Sequence, residues 1–137
     1  MRKIDKVSNF LSDSVVVYSE IISGRHKEMW STFFFKRFKE LKLDTTAKLY
    51  VKYQTEFNMI QLKTDKFLKN VFISCSSSYL KLSDNYFDMI AGKTYKVFLM
   101  PNHNGEKTPS LAELKDKLVF RSYIQSYAKD KLEIVFE

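Results

Sequence analysis

Two aspartates four positions apart, Asp84 and Asp88, frame the stretch Ser83-Asp84-Asn85-Tyr86-Phe87-Asp88-Met89-Ile90-Ala91-Gly92. Carboxylates at close spacing could share acid–base work or hold a cation. A glycosidase pair must stand across the scissile bond on a rigid scaffold, and two aspartates of one short loop are too local for that without a cleft around them. A calcium loop would need a glycine-punctuated ladder of Asp and Asn closed by a Glu, which is absent here. A carboxylate in such a loop more often accepts backbone N–H groups and closes an Asx-type turn. Asp84, Asn85, Tyr86, Phe87, Asp88 and Gly92 are therefore read as a structural loop. Asp84, Asn85 and Asp88 shape it, Tyr86 and Phe87 plug the end of a sandwich, and Gly92 turns the chain into the next strand.

Other chemistry finds little support. His26 and His103 lie far apart, and neither has a second ligand at the spacing a zinc site requires. No Gly-x-Ser-x-Gly elbow occurs, and three scattered glycines cannot form a phosphate cradle. Cys75 is the only cysteine, which excludes an intrachain disulfide; within Val71–Ser76 it reads as a small core residue. No catalytic residue, metal or cofactor is expected. Trp30, Tyr50 and Tyr79 are kept as candidates for stacking on sugar rings, against the commoner role of such side chains in cores and interfaces.

The chain carries a net charge of +7 over 137 residues, but its lysines are spread out and only four arginines occur. Guanidinium groups are the preferred readers of phosphate and base edges, so no nucleic-acid partner is expected. Lysines on strand faces and edges instead keep strands soluble and separate. No apolar run reaches the roughly 18 residues of a spanning helix, so no membrane partner is expected. Residues 1–13 lack the apolar region of a signal peptide and form an N-terminal arm.

Twelve Phe and eight Tyr suit pleated, half-buried strands. Residues 14–22 and 28–36 read as a hairpin turning near Gly24, with Phe33-Phe34-Phe35 putting aromatic bulk on both faces. Residues 37–44 form a connector, and a domain boundary is placed there. Alternation then predicts strands at 48–54, 57–64, 70–76, 78–84 and 93–100. Residues 110–118 change to helical period, with Ser110 and Glu113 in capping-box spacing. Residues 119–127 return to strand character, and 131–137 end the chain as a last strand or a frayed tail. The fold class is all-β: an antiparallel β-sandwich with one short C-terminal helix, preceded by a β-hairpin. The organisation is 1–13 arm, 14–43 hairpin and connector, 44–127 sandwich, 128–137 extension.

The stretch 83–97 resembles the Ser-Asp-Asn-aromatic-Phe-Asp, apolar pair, Gly signature in the C-terminal immunoglobulin-like domain of β-mannosidases of glycoside hydrolase family two. Residues 31–43 resemble the segment leaving the preceding sandwich domain. Residues 67–74 are similar to the strand before the signature, and 110–127 to the C-terminal helix and closing strand. The resemblance implies a parent enzyme that hydrolyses terminal β-mannosides with two glutamates on a (β/α)₈ barrel. The acid/base glutamate follows an asparagine in that family, and no Asn-Glu dipeptide occurs here. It thus implies a non-catalytic accessory domain that packs on the barrel, with 14–36 as the last hairpin of a preceding sandwich. The expected partners are the catalytic and neighbouring domains of the parent glycosidase, an oligosaccharide, and a second copy through the 14–36 hairpin. A parent of this kind would be exported or lysosomal, while the chain itself names no compartment. Two alternatives stay open: a carbohydrate-binding module, and a free-standing basic domain that meets an acidic partner.

Overall fold

A computed structural model describes residues 16–24, 26–34, 36–76, 80–101, 109–126 and 132–137. The chain divides into two compact units, Met1–Leu43 and Asp44–Glu137. In the first, β1 (Val16–Ser23) pairs antiparallel with β2 (His26–Phe34). Gly24 takes φ +59°, the left-handed conformation that lets the ribbon turn. Ile21, Ile22 and Phe33 are exposed, and Trp30 is half-buried 6.0 Å from the Tyr18 ring. The connector holds a single 3₁₀ turn, Phe38–Glu40.

The second unit is a two-layer sandwich. One layer has the order β10-β3-β4-β8-β6 and the other β7-β5-β9. Its strands are β3 (Lys48–Gln54), β4 (Met59–Thr64), β5 (Leu68–Cys75), β6 (Leu80–Leu82), β7 (Phe87–Met89), β8 (Tyr95–Pro101), β9 (Leu118–Arg121) and β10 (Glu133–Phe136). Period-two alternation drives the larger layer. Leu49 and Val51 of β3, Ile60 and Leu62 of β4, and Val97 and Leu99 of β8 turn inward and are buried, with Lys52, Lys63 and Lys96 exposed on the other face. Leu68, Val71, Ile73, Met89 and Phe120 supply the opposing layer. Aromatic pairs tie the layers together: Phe87 stacks on Tyr95 at 5.6 Å, and Phe120 meets Phe136 edge-on at 6.4 Å.

Helix α1 (Leu111–Lys117) carries the expected capping box. Ser110 Oγ accepts the Glu113 N–H, and the Glu113 carboxylate accepts the Ser110 N–H. Leu114 anchors the helix in the core. The strand expected over 119–127 is shorter: β9 ends at Arg121 and a 3₁₀ turn, Tyr123–Ser126, follows. Ser122 breaks the ladder, because its N–H bonds the Gln125 side chain and its hydroxyl accepts the Ile124 N–H. The final segment is a strand rather than a frayed tail, and β10 runs parallel to β3 while the other pairings are antiparallel. Cys75 is half-buried rather than a fully buried core residue.

Polar latches fasten the entry to the sandwich. Asp44 accepts the Thr46 N–H and hydroxyl and the Lys66 ammonium, the last at 2.8 Å. Asp65 accepts the Lys48 N–H at 2.7 Å. The Lys66 ammonium, with help from Thr46, holds the Asp44 carboxyl far below its ordinary value.

Two outcomes follow. Phe87→Ala removes the ring joining the layers and should cost about 3–5 kcal/mol in urea titration, whereas exposed Phe57→Ala should stay within about 0.5 kcal/mol. A loss below about 1 kcal/mol at Phe87 would refute its role as a plug. The second concerns acid. A depressed carboxyl stabilises the fold above its ordinary value of 3.8 and loses that contribution as pH falls toward the folded value. The stability gap between the native chain and Asp44→Asn should therefore be open at neutral pH and close as pH drops below 3.8. High salt should narrow it, since the Asp44–Lys66 pair is open to solvent.

Candidate functional site

The aspartate stretch gains its meaning from β5. Leu68 and Val71 stand three apart yet both are buried, which an uninterrupted strand forbids. Opposite them, Met89 and Phe87 stand two apart. One extra residue on β5 makes a bulge, and Asn70 absorbs it at φ +49°. The bulge turns Lys69 into a site where it is only 6% exposed.

Asp88, at the centre of β7, meets it there. Both carboxylate oxygens stand 2.9 Å from Lys69 Nζ, and Oδ1 also accepts the Asn70 N–H at 2.9 Å. Lys69 Nζ reaches Asn70 Oδ1 at 3.1 Å as well. Across the layer, Ser122 Oγ donates to the Lys69 carbonyl at 3.1 Å, which brings β9 into the same network. Burying two charges is expensive, so the pair persists only because backbone groups satisfy what the ion pair leaves over.

Asn85 forms the second anchor. Its Oδ1 accepts the Ile73 N–H at 2.8 Å, and its Nδ2 donates to the Ile73 carbonyl at 2.8 Å. The amide thus pairs with the β5 backbone as a neighbouring strand would. Oδ1 also accepts the Tyr86 N–H, and Asp84 Oδ1 accepts the Asn85 N–H. Gly92 sits at φ +76° and donates its N–H to the Thr64 carbonyl, so the chain turns into β8 where a side chain would strain it.

The structure revises the sequence reading at three points. Phe87 and Asp88 lie on a strand, β7, too short for alternation to reveal. Phe87 is buried, but Tyr86 is 67% exposed at φ +59° and stacks on Phe72 at 4.6 Å, so it plugs nothing. Lys69, read with the other lysines as lying on a solvated strand face or edge, is buried instead, and the roles of Asn70 and Ser122 escaped the sequence reading. The available signal was a pair of charges set among apolar residues, Lys69 within Phe67–Ile73 and Asp88 within Phe87–Ile90.

As chemistry, the arrangement is a latch. Asp88 is buried against its cation, while Asp84 is exposed and bonded to the adjacent N–H. The two are not presented together to a substrate. Among the described residues no group of His, Cys, Asp and Glu could hold a metal ion, and no helix is long and apolar enough to cross a membrane. The stacking candidates fall in different parts of the chain. Trp30 belongs to the first unit and Tyr50 to the second, and Tyr79 lies outside the described residues, as does His103. Tyr50 is half-buried on the outer face of β3. It borders a polar depression of about 110 Å³ with Lys52, Gln61, Lys63 and Glu137.

Strands β3 to β9 of the sandwich, its short helix and the aspartate stretch fall within residues 43–126, which match the Ig-fold domain family of mannosidases. The chain belongs to that family. No curated protein matches it. The mannosidase Ig-fold domain is thus an accessory domain of a glycosidase, and within it Asn85 and Asp88 seat β7 on β5.

A mutational cycle tests the latch. Lys69→Met or Asp88→Leu alone strands a buried charge and should cost about 3–5 kcal/mol in denaturant titration. The double variant should recover much of that loss, because no charge remains to be solvated. Additive losses would show that the pair is not coupled.

Proposed function

We propose that this mannosidase Ig-fold domain is a non-catalytic part of a β-mannosidase, an enzyme that hydrolyses terminal β-mannosides. Its task is to pack on the catalytic barrel and stabilise it. The family match over residues 43–126 carries this reading. The inward commitment of the signature supports it, since Asn85, Phe87 and Asp88 are spent on β5 and the core. The hairpin Val16–Phe34 belongs, on the same reading, with a neighbouring domain of the parent. A two-stranded ribbon is marginal by itself, and this one exposes Ile21, Ile22 and Phe33.

The depression beside Tyr50 favours a second reading, contact with an oligosaccharide through Tyr50, Lys52, Gln61 and Lys63. One experiment separates the two. The purified chain is assayed with a chromogenic β-mannoside and titrated calorimetrically with mannose and manno-oligosaccharides. Neither turnover nor heat is expected. Heat that disappears in Tyr50→Ala would replace the packing role with sugar binding, and turnover by rigorously purified chain would overturn the non-catalytic assignment.

A further inference from the structure

Strand β10 stands apart from the rest of the sandwich. It lies beyond residues 43–126, the part that matches the family, and it makes the parallel pairing. Removing it from the order β10-β3-β4-β8-β6 leaves β3 as the sheet edge. That edge is seven residues long, whereas β6 at the opposite edge has three. Short strands are a common protection against unwanted pairing; a long regular edge offers a row of free N–H and C=O groups. Even with β10 in place, only Lys48–Val51 are paired on this side, so Lys52–Gln54 continue the edge uncovered by it.

What fills the edge shows what it selects. Glu133 meets the Lys48 ammonium at 3.2 Å. The Glu137 N–H donates to the Val51 carbonyl at 2.9 Å. Phe136 stands edge-on to Phe120, with the Lys115 ammonium 5.3 Å from its ring centroid. The recognised pattern is an acid opposite Lys48 followed by three half-buried apolar residues, of which Phe136 reaches the Phe120 ring. Yet the hold is slight. Four residues pair, in the parallel geometry that is weaker per residue, and Ile134, Val135 and Phe136 are only half-buried.

We propose that the β3 edge is a strand-acceptor site, filled in the resting chain by its own β10 and open to the β10 of a second copy by reciprocal strand exchange. The chain's own strand reaches the edge intramolecularly, whereas that of a second copy must meet it from solution. Exchange is therefore suppressed in dilute solution, and disabling the internal strand leaves the edge open to a strand added from solution.

The test uses a fluorescent peptide with the sequence of residues 131–137. It should bind the full-length Phe136→Asp chain at least about tenfold more tightly than the native chain, because the internal competitor is lost. The same peptide bearing aspartate in place of its phenylalanine should not bind. A folded Phe136→Asp chain that ignores the peptide, or equal binding by both chains, would overturn the proposal. Hydrogen exchange on the native chain decides independently, even if that variant fails to fold. The amides of Ile134–Glu137 should exchange at least about tenfold faster than those of Ile60 and Leu62, by local release of the strand. Exchange of both sets together, through global unfolding alone, would make β10 an integral strand and sink the idea.

Discussion

The smaller layer of the sandwich depends on a buried ion pair. Lys69 and Asp88 are each nearly inaccessible, and their charges meet at 2.9 Å. Such a pair contributes little net stability against an apolar substitute, because desolvation offsets most of the attraction. Its effect is on register. An unpaired charge in that position is costly, so β7 can sit on β5 only where Asp88 finds Lys69 and the Asn70 N–H. A slip by one residue would bury both charges apart and turn Phe87 and Met89 out of the core.

The bulge makes this arrangement available. By adding a residue to β5 between Leu68 and Val71, it lets apolar residues on both sides face the core while a lysine is drawn out of solvent. Asn85 then repeats the device in amide form at Ile73, closing β7 along its length where ladder pairs are few. Ser122 carries the same logic to β9 through the Lys69 carbonyl. Three strands are thus joined by side chains where their short ladders would not suffice. This accounts for Asn85 and Asp88 as structural anchors of β7.

The same physics separates the two ends of the unit. Where the smaller layer is locked by buried polar contacts, β10 is held by one surface ion pair, half-buried apolar side chains, the buried Leu132 just before it and a short parallel ladder. Surface ion pairs contribute little, so the last strand is the natural place for the sandwich to open.

Much of the larger layer was legible in the sequence. The alternation of Leu49, Val51 and Tyr53 against lysines places β3, and the spacing of Ser110 and Glu113 places α1, because both signals arise from local geometry within a few residues. What stayed hidden was non-local. Nothing near Lys69 announces that Asp88, nineteen positions on, will neutralise it. Tyr86 and Phe87 are adjacent aromatics, and only the position of β7 on β5 decided that one is buried and the other lies on Phe72. Residues 131–137 read equally as strand or tail, because a strand of four acquires its state from the edge it meets. Local periodicity determined which segments extend and which coil. Partners distant in the chain decided which polar groups are buried, since a buried charge exists only where another chain segment satisfies it.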